Sequence, residues 1–257
     1  MKNCWYSLFL MVFLLFSCSD DDTTDPIDPM NPVDPMNPVD DPIDMGGLSN
    51  DQQLAIDYFT EIALGFEFGN ATQVTRKWDT DIFITIAGNP TTALLDELDS
   101  ILSELNDLIA SSGIEIQITN DPSMANFTIF MGSGEDYATF FPPAAPFVAS
   151  NFGLFFVSFD ADQFLTGASM YVDTFRPTAV KQRHLLREEL TQALGLARDS
   201  DRFPESIFQI SFDIGCATAY SQFDEVLIQL LYDPRVATNL SEAAVRTVLE
   251  GIIDEFL

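Results

Sequence analysis

From Leu48 onward, hydrophobic positions along the chain follow two periods. Leu94, Leu95, Leu98, Ile101, Leu102, Leu105, Leu108 and Ile109 recur at steps of three and four, which lays one apolar stripe along a helix until Gly113 stops it. Asn89 and Pro90 ahead of this stripe predict a helix cap and a first turn. Leu54, Ile56, Phe59, Ile62 and Ala63 predict an earlier amphipathic helix that ends before Gly65. The second period is two. Ile114, Ile116 and Ile118 alternate with polar neighbours, as a half-buried strand requires, and residues 82–86 form a continuous run suited to a strand buried on both faces. Residues 127–131, 154–159 and the shorter 169–173 read as further strands, and helices follow near 178–196, 223–232 and 241–256. The order is helix, strand, helix, several strands, then helices alone. That predicts an α/β or α+β domain with a mixed sheet and a helical C-terminal half.

Ahead of Leu48 the pattern is not that of a fold. Lys2 precedes an apolar run from Trp5 to Phe16, about a dozen residues, too short to span a bilayer but suited to a signal-peptide core. It ends in Leu15, Phe16, Ser17 and Cys18, which resembles the lipobox of bacterial lipoproteins. The expectation is cleavage before Cys18 and lipid on that cysteine. Asp20, Asp21 and Asp22 follow, and the run resembles the acidic export signal of Bacteroidetes lipoproteins, which implies an outer-membrane location facing the cell exterior. A six-residue unit beginning at Asp28 recurs at Asp34 with proline every third residue, so helix and sheet are disfavoured and an extended spacer of roughly 60 Å is expected. The chain therefore divides into a signal peptide at 1–17, an acidic Pro-rich tether at 18–47 and one domain at 48–257. The aromatic stretch from Phe140 to Phe159 is broken by Pro142, Pro143, Pro146, Asn151 and Gly153, and reads as strands and turns rather than a membrane span.

Charge and cysteine use narrow the function classes. Forty Asp and Glu stand against 11 Lys and Arg, a field that repels phosphate backbones and excludes nucleic acid as a partner. Part of that excess lies in the tether, where it serves solubility or attracts divalent cations. Cys4 leaves with the signal peptide, Cys18 is assigned to lipid, and Cys216 then has no second thiol, so no disulfide framework supports the fold. The core must suffice, and a domain of roughly two hundred residues buries about 70% of its surface.

Candidate chemistry concentrates between His184 and Asp201. Residues 193–196, Ala-Leu-Gly-Leu, resemble the helix end of metzincin-type zinc metallopeptidases, in which two histidines four apart grip a metal ahead of a glycine turn and a third ligand. On that frame Glu188 and Gln192 stand where the two histidines would be, Glu189 takes the general-base position and Arg198 the third-ligand position. The chain contains one histidine, His184, so a two-histidine zinc site cannot form within it. His184, Glu188 and Gln192 follow at intervals of four and share a helix face, but an amide is a poor zinc ligand and Arg198 would oppose a cation. A His184–Glu188 pair across one turn is the simpler expectation. Asp199 and Asp201 are read as loop caps in preference to calcium ligands, and with His184 they are the candidates to border a cleft. Neither a nucleophile elbow nor a nucleotide-binding glycine loop is present in the sequence.

The run from Arg187 to Leu196, with Asp199 to Asp201, Pro204 to Phe208, and Phe223 and Asp224 through Pro234, resembles the bacterial family catalogued as domain of unknown function 2927. Residues 58–62, 67–69 and 77–78 fit its N-terminal part. The resemblance implies a zincin-like fold in a lipoprotein and no established activity. The resulting expectation is a lipid-anchored surface protein whose zincin-like domain lacks zinc ligands and acts as a binding or scaffolding module for a protein, peptide or glycan. No cofactor or metal is expected, and Glu189 is the one catalytic candidate. The region from Phe140 to Phe156 is an alternative binding face, though core strands with a proline-bearing loop explain it more simply. The competing reading is a hydrolase with a carboxylate-rich site around Glu188 and Glu189.

Overall fold

The computed structural model describes residues 47–66, 71–210 and 216–257. The expected signal peptide, Cys18, the acidic run at 20–22 and the repeat lie outside the described residues, as do 67–69 of the family resemblance.

The first helix, α1 (Asn50–Ala63), starts at a capping box: Ser49 Oγ accepts from the Gln52 amide at 3.2 Å, and Gln52 Oε1 accepts from the Ser49 amide at 2.8 Å. Strand β1 (Ile82–Gly88) leads to helix α2 (Thr92–Leu108). The cap of α2 is Thr91 rather than Asn89: its hydroxyl accepts from the Leu94 amide at 3.3 Å, while the Asn89 amide is drawn to the Met131 carbonyl at 2.7 Å. Strands β2 (Ile116–Ile118) and β3 (Phe127–Gly132) follow, then a short helix, α3 (Gly134–Phe140), that the sequence pattern does not predict. A 3₁₀ turn at Pro142–Ala144 leads through turns to the antiparallel pair β4 (Gly153–Phe159) and β5 (Leu165–Asp173).

Helix α4 (Ala179–Gln192) stops one turn earlier than periodicity suggests. Gly195 has a φ of 119°, and a Cβ there would lie 2.1 Å from the Arg76 carbonyl oxygen, so only glycine makes this turn. Two side chains satisfy carbonyls left open at the helix end: Trp78 Nε1 donates to Ala193 at 3.1 Å and the Tyr232 hydroxyl to Leu194 at 2.9 Å. Helices α5 (Gln222–Tyr232) and α6 (Glu242–Glu250) complete the chain, with Gly251 separating α6 from a 3₁₀ turn at Ile253–Glu255.

The sheet has five strands in the order β2-β1-β3-β5-β4, all parallel except β4, which runs antiparallel at one edge. Side chains alternate between its faces. Ile129, Met131, Met170 and Val172 point into the main core with Leu185, Leu186 and Leu190 of α4, whereas Phe130 and Tyr171 join Tyr137 of α3 in a second, smaller core. Helices α2 and α4 pack together against the main face, and α1 packs on α5 and α6 behind them. Polar ties reinforce that outer layer: Gln52 Nε2 donates to Asp254 at 2.6 Å, and the Arg246 guanidinium to Asp57 at 2.6 Å. Beneath it the Tyr58 hydroxyl lies 2.7 Å from Ser206 Oγ, which donates to Asp224 at 2.6 Å. The mixed α/β class is as the sequence predicts. No helix among the described residues is long and apolar enough to cross a membrane.

Candidate functional site

The end of α4 and the start of β4 face each other across a cavity of about 190 Å³. Leu185, Glu188, Glu189 and Gln192 line it from the helix, and residues 150–155 line it from the strand and the turn before it. Asp199, Gln209 and Ile210 close it from the segment after the glycine turn. The wall therefore carries three carboxyl groups and three carboxamides, with no Lys, Arg or His among the described lining residues.

Each polar wall group is held in its own way. Glu188 Oε2 lies 3.4 Å from His184 Nε2, one turn back on the helix. The other ring nitrogen, Nδ1, is 2.8 Å from the Ala217 carbonyl oxygen and so carries the proton that this contact needs. Burial pushes the His184 pKa below its usual value, which favours the neutral ring. His184 is 1% exposed and lies beside Glu188, behind the cavity wall rather than in it. Glu189 reaches the strand because residue 153 is glycine: a Cβ there would meet Glu189 Oε1 at 2.2 Å. The charge of Glu189 is felt by the Tyr137 phenol, whose pKa is pushed up to about 12, chiefly by burial. Gln192 Nε2 donates to Asp199 Oδ1 at 2.6 Å, and burial raises the Asp199 pKa despite that hydrogen bond.

Two expectations from the motif need correction. Arg198 does not face the cavity. It lines a separate cleft with Asp57, Thr60, Glu61, Gln73, Arg202, Glu242 and Arg246, in which Arg202 pairs with Glu61 at 2.8 Å. The chain turns sharply after α4, so Asp199, one residue later, is the group that returns to Gln192. Asp199, a cleft candidate from the sequence, is thus a wall residue, while Asp201, another such candidate, is exposed and does not line the cavity. The aromatic stretch divides as well: Phe152 and Phe155 line the cavity, whereas Phe141, Phe147 and Phe156 pack on the second core and Phe140 is 53% exposed. Sequence reasoning missed Gly153, Asn151 and Gln209. The glycine interrupting an apolar strand is the one signal that pointed to a close approach there.

As a zinc site the arrangement does not fit. The donors along the helix face are one histidine turned to a carbonyl, one carboxylate and one amide, and no three His, Cys, Asp or Glu among the described residues converge as a metal would require. What the wall offers is hydrogen-bond acceptors and negative charge around a space the size of a small polar group.

No curated protein gives a significant match to this chain. The family model described as "Protein of unknown function (DUF2927)" matches residues 52–251, which include the whole cavity wall, the second core and all of the main core's buried residues except Ile252 and Ile253. The chain belongs to that family.

Proposed function

We propose that this protein is a lipid-anchored, surface-exposed binding module with a zincin-like domain, and that the cavity between α4 and β4 receives a cationic group of a protein or peptide ligand. One observation carries the reading: Glu188, Glu189 and Asp199 converge on one small cavity with three carboxamides. Burying carboxylates is unfavourable unless charge or hydrogen bonds answer them, and an ammonium or guanidinium group supplies both. The zincin-like assignment is supported by a long helix ending in a tight glycine turn and by the antiparallel edge strand beside it. On that frame the positions of the metal-binding histidines hold Glu188 and Gln192, which suit a cation carried by the ligand better than a metal. The hydrolase alternative lacks a means of activating water, since Glu189 as a base would need a metal or an equivalent electrophile beside it.

The test is calorimetric titration of the intact lipidated chain in detergent with methylguanidinium and with a short lysine-containing peptide. Binding that weakens by on the order of tenfold or more in Glu189→Gln and falls with added salt is expected. Binding unchanged in that variant would overturn the reading. One tightly held zinc per chain, lost on Glu188→Ala, would restore the hydrolase. Anchoring has its own test: mass spectrometry should find an acylated N-terminus at Cys18, and replacing Asp20, Asp21 and Asp22 with alanine should shield the domain from protease added to intact cells.

A further inference from the structure

One wall of the cavity begins in the turn at 147–151 that feeds into β4. Within it the Ser150 and Asn151 amides both donate to the Phe147 carbonyl at 3.2 Å. Its carbonyls converge instead on one side chain. Arg176 Nη2 donates to Val148 at 2.9 Å and to Asn151 at 2.8 Å, and Nη1 donates to Ala149 at 3.1 Å. The same guanidinium lies over the Phe152 ring, 4.6 Å from its centre. Its Nε donates to Asp173, and Nη2 also reaches the Tyr171 hydroxyl at 2.9 Å.

The other end of this link is α4 itself. Asp173, at the end of β5, is 1% exposed and its Oδ1 accepts from the Phe175 and Arg176 amides at 2.7 and 3.0 Å. Gln182, in the first turns of α4, donates to the Thr174 and Pro177 carbonyls at 3.1 and 3.0 Å. A continuous set of hydrogen bonds therefore runs from the turn through Arg176 and the 173–177 segment to the helix that carries Glu188 and Glu189.

We propose that Arg176 is a positioning residue that holds residues 148–152 at a set distance from α4 and so fixes the width of the cavity. A guanidinium has five N–H donors in a rigid fork: here Nε serves the carboxylate, Nη1 one carbonyl, and the two N–H of Nη2 are shared among two carbonyls and the phenol. Lysine offers three donors from a single point and cannot span the same acceptors. The wall it holds contributes main chain rather than side-chain charge, so Arg176 acts on which cation fits and not on whether the cavity attracts cations.

This inference rests on the binding reading for its ligand, but its first test does not. Hydrogen exchange on the intact lipidated chain should show amides of 147–153 exchanging on the order of tenfold faster in Arg176→Ala, with peptides from α1 unchanged. Arg176→Lys should fall between the two, and it remains informative if the alanine variant does not fold. The second arm titrates methylammonium and tetramethylammonium. Wild type should prefer the smaller ion, and that preference should shrink several-fold in Arg176→Ala and partly return in Arg176→Lys. Exchange at 147–153 equal to wild type in both variants would overturn the proposal. Faster exchange with an unchanged size preference would overturn the claim on width. If wild type binds neither ion, the binding reading falls, while the exchange arm still decides whether Arg176 holds the wall.

Discussion

Helix α4 has two polar sides that follow opposite rules. On the side toward α2, Arg187 is 2% exposed, and its charge is answered by Glu104 and by Glu97 at 3.3 Å while its guanidinium lies 4.5 Å from the centre of the Tyr220 ring. Thr191 on the same side places its hydroxyl 2.8 Å from that of Tyr220. On the side toward β4, the next residues in sequence, Glu188 and Glu189, border a cavity that holds a third carboxyl and no basic side chain among its described lining residues. Adjacent residues of one helix are thus buried for different ends. Opposite charges satisfied within the fold hold α4 in place, whereas like charges gathered around a space leave the fold less stable than it could be and make sense when a ligand completes them.

The sharpest way to break this contrast is to remove the answered charge. Arg187→Ala should cost about 3 kcal/mol, lowering Tm on the order of 10 °C, because a well-packed side chain and its ion pairs vanish together. The loss stays at the lower end of the range for buried pairs because Glu104 is 43% exposed and turns to solvent. Thermal denaturation checks it, and a drop of only a degree or two would show that the α2 side is not where the helix is secured.

Asp173 belongs with the answered charges. Burial pushes its pKa up, but hydrogen bonds from the Arg176 and Phe175 amides and from the Arg176 side chain outweigh burial, and the folded value lies below the usual 3.8. A depressed acid contributes stability that is fully present above its unfolded pKa and is lost as pH falls through the folded one. Asp173→Asn should therefore cost about 2 kcal/mol at neutral pH, and the gap to wild type should close below about pH 4. Denaturant melts at several pH values would show it, and a gap independent of pH would contradict it.

Gly153→Ala tests the cavity side directly. The added methyl meets Glu189 Oε1 at 2.2 Å and Leu185 Cδ2 at 2.8 Å, so the carboxylate must swing away. A stability loss of about 1 kcal/mol is expected with a much larger proportional loss of cation affinity. Affinity equal to wild type would mean that Glu189 needs no contact with the strand. The smallest effect should have the opposite sign. Burial raises the Asp199 pKa, so the folded state holds its proton longer, and stability declines as pH rises from 3.8 through the folded value. Asp199→Asn keeps an acceptor for Gln192 and removes that decline, so its Tm at pH 7 should exceed wild type by on the order of 2 °C while cation binding weakens. A lower Tm would place Asp199 among the structural charges after all.

The parts of this picture that sequence reveals are those with local causes. The stripe from Leu94 to Ile109 predicts α2 because its packing face is written at helical spacing, and the alternation at Ile116 and Ile118 predicts β2 in the same way. Glu188, Glu189 and Gln192 were legible because one helix carries all three. Helix α3 was not, since its seven residues are too few to show a period and the aromatic run beside it suggests strand. Arg198 stands at the third-ligand position only because the motif frame counts residues through a turn, and the turn at Gly195 redirects the chain by more than counting conveys. Arg176 was invisible for a different reason: its acceptors lie 25 to 28 residues upstream in a segment with no regular structure, and no spacing rule links a guanidinium to backbone carbonyls.

The placement of α1 bears on how the chain reaches this state. The first helix to be synthesised is covered by the last two, with Gln52 meeting Asp254 and Asp57 meeting Arg246. Ile56, Tyr58, Phe59 and Ile62 therefore have no complete partner surface until α5 and α6 have emerged. A chain ending after Ile210 would hold every described residue of the cavity wall and still leave that helix unenclosed. Contacts that join the two ends of a chain form late and slowly, because a long loop must close before they are rewarded. Until α5 and α6 have emerged the main core is incomplete, so the folding of the domain waits on them.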